Sequence, residues 1–96
     1  MTKYEVEYTN VFKRNLKKCQ KQGKNIDKLM QVIELLANKK HLPQKYKNHI
    51  LKNDKYYENC GECHIEPDWL LVYKYIEKEL ILLLISTGSH SELFKK

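Results

Sequence analysis

Cysteine is scarce in this 96-residue chain, and its count of three is odd, so a complete disulfide framework is not expected. Arginine is almost missing, with Arg14 the only one. Arginine forks therefore cannot be the main device for gripping phosphates or bases. Glycine and proline number only three and two, and no low-complexity linker or internal repeat is visible. Long apolar runs are absent as well. The longest, Leu80 to Ile85, has six residues, whereas a membrane-spanning helix needs roughly 20. No stretch has the pattern of a signal peptide. These absences lead us to expect one cytoplasmic domain over residues 1–96 with no membrane association. A chain this short buries only roughly 60–68% of its unfolded surface, so its core is modest.

Lysine is abundant, and it is unevenly placed. Residues 1–55 hold 14 of the 18 basic and 5 of the 12 acidic residues, and residues 56–96 hold the other 4 and 7. A lysine field of this kind suits phosphate backbones, although a solvated helix face would look the same. Cys60 and Cys63 form C-G-E-C. Such a pair can be a redox couple, half of a zinc site, or two buried thiols. A strand pattern follows it rather than a helix, and no second ligand pair appears, which favours buried thiols. Cys19 falls on an apolar helical stripe and belongs in the core.

The apolar periodicity sets out the elements. Lys3 to Tyr8 alternates as a half-buried strand, with Tyr4, Val6 and Tyr8 on one side. Thr9 or Asn10 can cap a helix carrying Phe12, Leu16 and Cys19, which Gly23 ends. Asn25 can cap a second helix, with Ile26, Leu29, Met30, Ile33, Leu36 and Ala37 on its stripe, running to about Asn38. A loop with Tyr46 and His49 follows, then a poorly defined stretch with Tyr56 and Tyr57. Three strands are expected: Cys60 to Glu66, Trp69 to Ile76, and Leu80 to Ser86. The middle one is apolar on both faces and should be central. The order predicts an α+β fold: an N-terminal strand, a two-helix hairpin, then antiparallel strands forming one small sheet. Both helices should cover one sheet face and leave the other for a ligand.

The chemistry-bearing residues sit at strand ends. With two-residue turns at Pro67-Asp68 and Glu77-Lys78, His64 pairs with Leu71 and Trp69 with Ser86. His64, Trp69, Leu71 and Ser86 then share one face, and Asp68 lies beside Thr87 near the loop bearing His90. A one-residue slip would overturn this. Such a cluster has the parts for cutting RNA without a metal. Histidines can take the 2′-hydroxyl proton and protonate the leaving 5′-oxygen, an aspartate can orient a histidine, and an aromatic ring can stack a base. Each residue also has an ordinary reading: His64 as an exposed strand residue, His90 as a loop or capping histidine, Asp68 as a turn former, Trp69 and Phe94 as core.

The run E-C-H-I-E-P-D-W-L-L-V-Y, Glu62 to Tyr73, with T-G-S-H-S-E-L-F, Thr87 to Phe94, resembles the YafQ branch of the RelE-like toxins of type II toxin–antitoxin pairs. The resemblance is close over the last third of the chain and looser over the helices. It implies a RelE-like fold and a ribosome-dependent mRNA endoribonuclease, neutralised by a cognate antitoxin; no cofactor and no catalytic metal are expected, since no ligand spacing is convincing. It implies His90 as general base, with His64, Asp68 and His49 (in N-H-I-L) in acid and charge roles. Trp69 and Phe94 would shape the nucleotide pocket. The pattern departs from the family where arginine is common and this chain has Gly61 and Ser86, and Asn53 to Asn59 lacks the usual G-x-W. Transition-state charge would then fall to Lys47, Lys52 or protonated His49. A catalytically weakened RNA- or antitoxin-binding module is the alternative.

Overall fold

A computed structural model describes residues 3–52 and 57–94. The stretch containing Tyr56, and part of the Asn53–Asn59 segment, lie outside those residues. The elements run β1 (Glu5–Tyr8), α1 (Asn10–Lys21), α2 (Ile26–Ala37), β2 (His49–Ile50), β3 (Gly61–Glu66), β4 (Trp69–Ile76), β5 (Ile81–Gly88) and α3 (His90–Leu93). Both long helices start as expected. The Thr9 hydroxyl accepts from the Phe12 N–H and the Asn25 side chain from the Asp27 N–H, each satisfying a donor left open at a helix start. Gly23 follows α1 at φ 77°, where a side chain would be strained.

One five-stranded sheet has the order β1-β5-β4-β3-β2. β4 is central, as its two apolar faces required. β1 runs parallel to β5, and the other pairs are antiparallel. The core lies between α1, α2 and one sheet face. It gathers Phe12, Leu29, Val32 and Leu36 against Trp69, Leu71, Tyr73, Leu82 and Leu84. Leu70 and Val72 point to the opposite face and are also fully buried.

Two details of the sequence-based register are corrected. Glu77–Glu79 form a 3-10 turn rather than a two-residue hairpin, with Leu80 left-handed at φ 53°. No glycine or asparagine is present there to make the tighter turn. Ile76 therefore pairs with Ile81, not Glu79. Bulges then shift both neighbours of β4 by one residue. Ile65 is the extra residue between the His64–Leu70 and Glu66–Trp69 pairs, and Ile85 between Val72–Ser86 and Tyr73–Leu84. His64 accordingly pairs with Leu70, not Leu71, and Ser86 with Val72, not Trp69. His64, Glu62 and Ser86 share the face away from the helices. Trp69 and Leu71 face the helix-side core. The sequence also left His49–Ile50 as loop, since two residues carry no readable alternation.

Candidate active site

β3, β4 and β5 deliver their ends to one corner of the sheet. Asp68 occupies the turn between β3 and β4, and His90 begins α3 directly beyond β5. α3 is anchored by a capping box in which the Ser89 hydroxyl accepts from the Glu92 N–H and the Glu92 carboxylate accepts from the Ser89 N–H. Glu92 also pairs with Lys18 of α1. These contacts hold the Glu92 carboxyl below its usual range, Lys18 contributing most. A Cβ at Gly88 would come within 2.8 Å of the Glu92 Oε1. That approach, with φ at 157°, favours glycine where the carboxylate closes over the turn.

His90 meets Asp68 twice. Its backbone N–H donates to Asp68 Oδ1 at 3.1 Å, and its ring Nδ1 lies 2.9 Å from the same oxygen. These bonds hold the Asp68 carboxyl below its ordinary value, the backbone bond most strongly. A carboxylate accepts, so Nδ1 carries the proton and Nε2 of the neutral ring is left with its lone pair. The His64 ring stands 5.5 Å from that of His90, centroid to centroid. His64 Nδ1 faces the Pro67 carbonyl at 3.2 Å.

A third histidine completes the row. β2 pairs His49 opposite Glu62, and its Nε2 lies 3.2 Å from the Glu62 carboxylate. Its Nδ1 lies 2.8 Å from the Lys47 carbonyl. Both ring nitrogens therefore lie against acceptors. Glu62 is 5% exposed and also lies 3.8 Å from His64 Nε2. The series is therefore His49, Glu62, His64, His90, Asp68. Phe94 borders its far end, 6.4 Å from the His90 ring and edge-on to Tyr57 at 5.4 Å. Lys47 and Lys52 are exposed on either side of β2.

Residues 4–95 match the family model for the bacterial toxin of type II toxin–antitoxin systems, YafQ. The chain belongs to the YafQ toxin family. It is 36% identical over 95 residues to the mRNA interferase toxin YafQ of Escherichia coli BL21, covering 98% of this chain and 99% of that one. The toxin in the E. coli DinJ–YafQ toxin–antitoxin complex superposes with a TM-score of 0.83 at 33% identity, covering 96% and 98% of the two chains. A metal-bound toxin from Helicobacter pylori superposes with a TM-score of 0.88 at 39% identity, covering 98% and 100%. The fold expected from the resemblance is thereby borne out.

Several residues of this YafQ-family site were not legible in the sequence. Glu62 is the first, because a buried carboxylate between two histidines depends on pairing with the unforeseen β2. Asn15 is another: its Oδ1 accepts from the Thr87 N–H at 3.1 Å and ties α1 to the end of β5, just before His90. Trp69 differs most from expectation. It is 1% exposed, and its indole N–H donates to the Thr87 hydroxyl at 2.9 Å, which donates on to the Leu70 carbonyl at 2.7 Å. Its bulk lies in the helix-side core, on the sheet face opposite His64.

Gly61 and Ser86 stand where the resemblance makes arginine common, and the structure shows what surrounds them. A Cβ on Gly61 would fall 2.3 Å from Cζ of Tyr73, so the tyrosine ring occupies the room a longer side chain would need. Burial raises the Tyr73 hydroxyl to about 12, keeping it neutral, and it donates to Asn48. Ser86 is fully buried, with Tyr57 over its hydroxyl. Cys60 and Cys63 are both buried, and burial pushes the Cys63 thiol up to about 12, far from a reactive thiolate. Among the described residues no group of three or more His, Cys, Asp or Glu side chains is arranged to hold a metal. No helix among them is long and apolar enough to cross a membrane.

Proposed function

We propose that this chain is a cytoplasmic endoribonuclease toxin that cuts mRNA on the translating ribosome and is neutralised by a cognate antitoxin. The observation that carries the reading is the Asp68-bound ring of His90 facing His64. His90 Nε2 takes the proton from a ribose 2′-hydroxyl. The 2′-oxygen attacks the adjacent phosphorus, forming a 2′,3′-cyclic phosphate as the bond to the 5′-oxygen breaks. His64 or His49 supplies the proton that the leaving oxygen takes up. The imidazolium of His49, with Lys47 and Lys52, offsets the charge building on the phosphate oxygens. Asp68 stabilises the imidazolium formed on His90. Phe94 borders the nucleotide, and Trp69 shapes the pocket from behind through Thr87. The acid–base roles are filled by side chains, so the mechanism requires no metal step. The mRNA interferase relatives and the DinJ complex of E. coli support the substrate and the partner class.

The decisive test is induced expression, paired with mapping of message 5′ ends on programmed ribosomes. The parent should arrest growth and cut mRNA. His90→Ala should do neither, while remaining folded and antitoxin-competent. Full toxicity of a folded His90→Ala variant removes the general-base assignment. One observation favours a second reading, a weakly cleaving RNA- or antitoxin-binding module: the Tyr73 ring fills the space beside Gly61, and buried Ser86 donates to the Tyr57 hydroxyl, at the two positions where the resemblance makes arginine common. Ribosome binding without growth arrest in the parent would select that reading.

A further inference from the structure

The histidine row does not end at His64. Behind it, a cavity of about 420 Å³ opens between α2, the Gln44–Tyr46 turn and the end of β3. His64 forms part of its wall. Lys28, Lys45 and Lys47 bring three ammonium groups to it, Tyr46 an aromatic ring and Glu66 a carboxylate. The Lys45 ammonium stands 5.1 Å from the centre of the Tyr46 ring.

We infer that this cavity is a subsite for one nucleotide of single-stranded RNA, adjoining the phosphodiester held at His64 and His90. The inference rests on the endoribonuclease reading above and names where the substrate strand continues. A single strand is held by positive groups along its backbone and by aromatic faces on which its bases stack. Both are present here, within one side chain of the reacting centre. The volume fits one small ligand rather than a run of nucleotides. Glu66 decides the orientation. Its carboxylate repels phosphate, so the phosphate lies toward Lys45 and Lys47. The base then stacks on Tyr46 with an amino or imino edge toward Glu66. Lys28 is tied to Glu66 at 3.0 Å, but both partners are well exposed. Such a pair contributes little and can be exchanged for ligand contacts.

The test uses the full chain as His90→Ala, so that no cleavage interferes, with a 2′-O-methyl RNA hexanucleotide of mixed sequence as the probe. Affinity is measured across a salt series, and amide shifts are followed by NMR. The probe should shift resonances at Lys28, Tyr46 and Glu66 as well as at His64. Adding Tyr46→Ala should weaken binding about tenfold, whereas Tyr46→Phe, which keeps the ring, should leave it unchanged within twofold. If Tyr46→Ala unfolds the chain, the Lys45→Ala/Lys47→Ala pair stands in for it. That pair should lower the slope of log affinity against log salt by about 0.7 for each lysine that contacts phosphate. Shifts confined to His64, Asp68 and residue 90 would overturn the subsite and leave the endoribonuclease reading standing. Absence of binding, or equal binding of a hexaglutamate peptide in the cavity, would overturn the subsite too. Message cleavage in the expression test judges the parent reading separately.

Discussion

Asp68→Asn isolates what the carboxylate does for His90. Asp68 Oδ1 receives both the backbone N–H and the ring Nδ1 of His90, at 3.1 and 2.9 Å. An asparagine oxygen in the same place can still accept both, so the ring keeps its orientation and its tautomer. What disappears, in the proposed mechanism, is the negative charge that stabilises the imidazolium formed as the 2′-proton is taken. Alanine removes charge and orientation together. A positioned acid or base contributes typically 10²–10⁴-fold in rate, and Asp68 acts only through His90. The side chains of the pair are 54% and 70% exposed, so water screens their interaction strongly. We therefore expect a loss near the low end, about 10²-fold for Asp68→Ala, and only about tenfold for Asp68→Asn. The assay is single-turnover cleavage of message on programmed ribosomes, run from pH 5 to 9 with ribosome integrity checked at each point. The depressed carboxyl of Asp68 keeps its charge across this range, so the ratio of parent to asparagine rates should not change through titration of Asp68 itself. That contribution should fade only as the pH falls below the ordinary carboxylate range. An asparagine variant within twofold of the parent would refute the charge argument. An asparagine variant as inactive as alanine would refute the division between charge and orientation.

Other outcomes follow from the same geometry. Glu62→Gln, which leaves the volume of the buried side chain but removes its charge from between His49 and His64, should lower kcat about tenfold with KM little changed; an unchanged kcat would leave Glu62 a purely structural residue. Single alanine variants of His49 and His64 should each lose roughly 10²-fold or more in cleavage, and losses below tenfold in both would make them structural. Cleavage should persist in EDTA; activity that vanishes with chelation and returns with a divalent ion, on intact ribosomes, would refute the metal-free mechanism. Reversing Lys13, Lys17 and Lys21, all exposed on α1, should weaken ribosome binding and its salt dependence without altering the chemistry. Equal affinity across a salt series would make that face merely solvated.

The elements were legible where a periodic apolar pattern met a capping residue. Thr9 and Asn25 marked the two long helices, and the doubly apolar β4 announced itself as central. Contacts of the site were legible only where they were local or carried by a motif. Asp68 and His90 fall together because each sits at the end of a strand of β3–β4–β5, and no choice of register moves them far apart. Trp69 was put on the wrong face because two bulges, at Ile65 and Ile85, each shift the pairing by one residue. A bulge has no composition signal of its own, and a period of two converts each into a change of face. Glu62 was hidden for a different reason. Its partners are His49, on a two-residue strand, and His64, two positions along, and only the pairing of β2 with β3 shows that three polar groups meet.

The same pairing bears on how the proposed site, with Gly61 and Ser86 where the resemblance makes arginine common, would carry charge. Gly61 and Tyr73 are direct partners across β3 and β4, and the tyrosine ring fills the space over the glycine. The tyrosine is neutral, so it replaces the bulk of an arginine and not its charge. One residue further on, Glu62 faces His49 across β2. A carboxylate buried at that point lies 3.2 Å from the His49 ring, and in the proposed mechanism an imidazolium there both offsets phosphate charge and donates a proton. In the proposed mechanism positive charge at the phosphate comes from a histidine beside a buried acid rather than from a fixed guanidinium. A guanidinium stays charged at every working pH, whereas a histidine does not. Cleavage by this chain should therefore depend on pH in its charge-stabilising step as well as in its base. Replacing Tyr73 by phenylalanine, which retains the ring and loses only the bond to Asn48, should leave that dependence intact. Glu62→Gln should alter it. A pH profile of Glu62→Gln that overlays the parent after scaling would place the charge elsewhere, on Lys47 or Lys52.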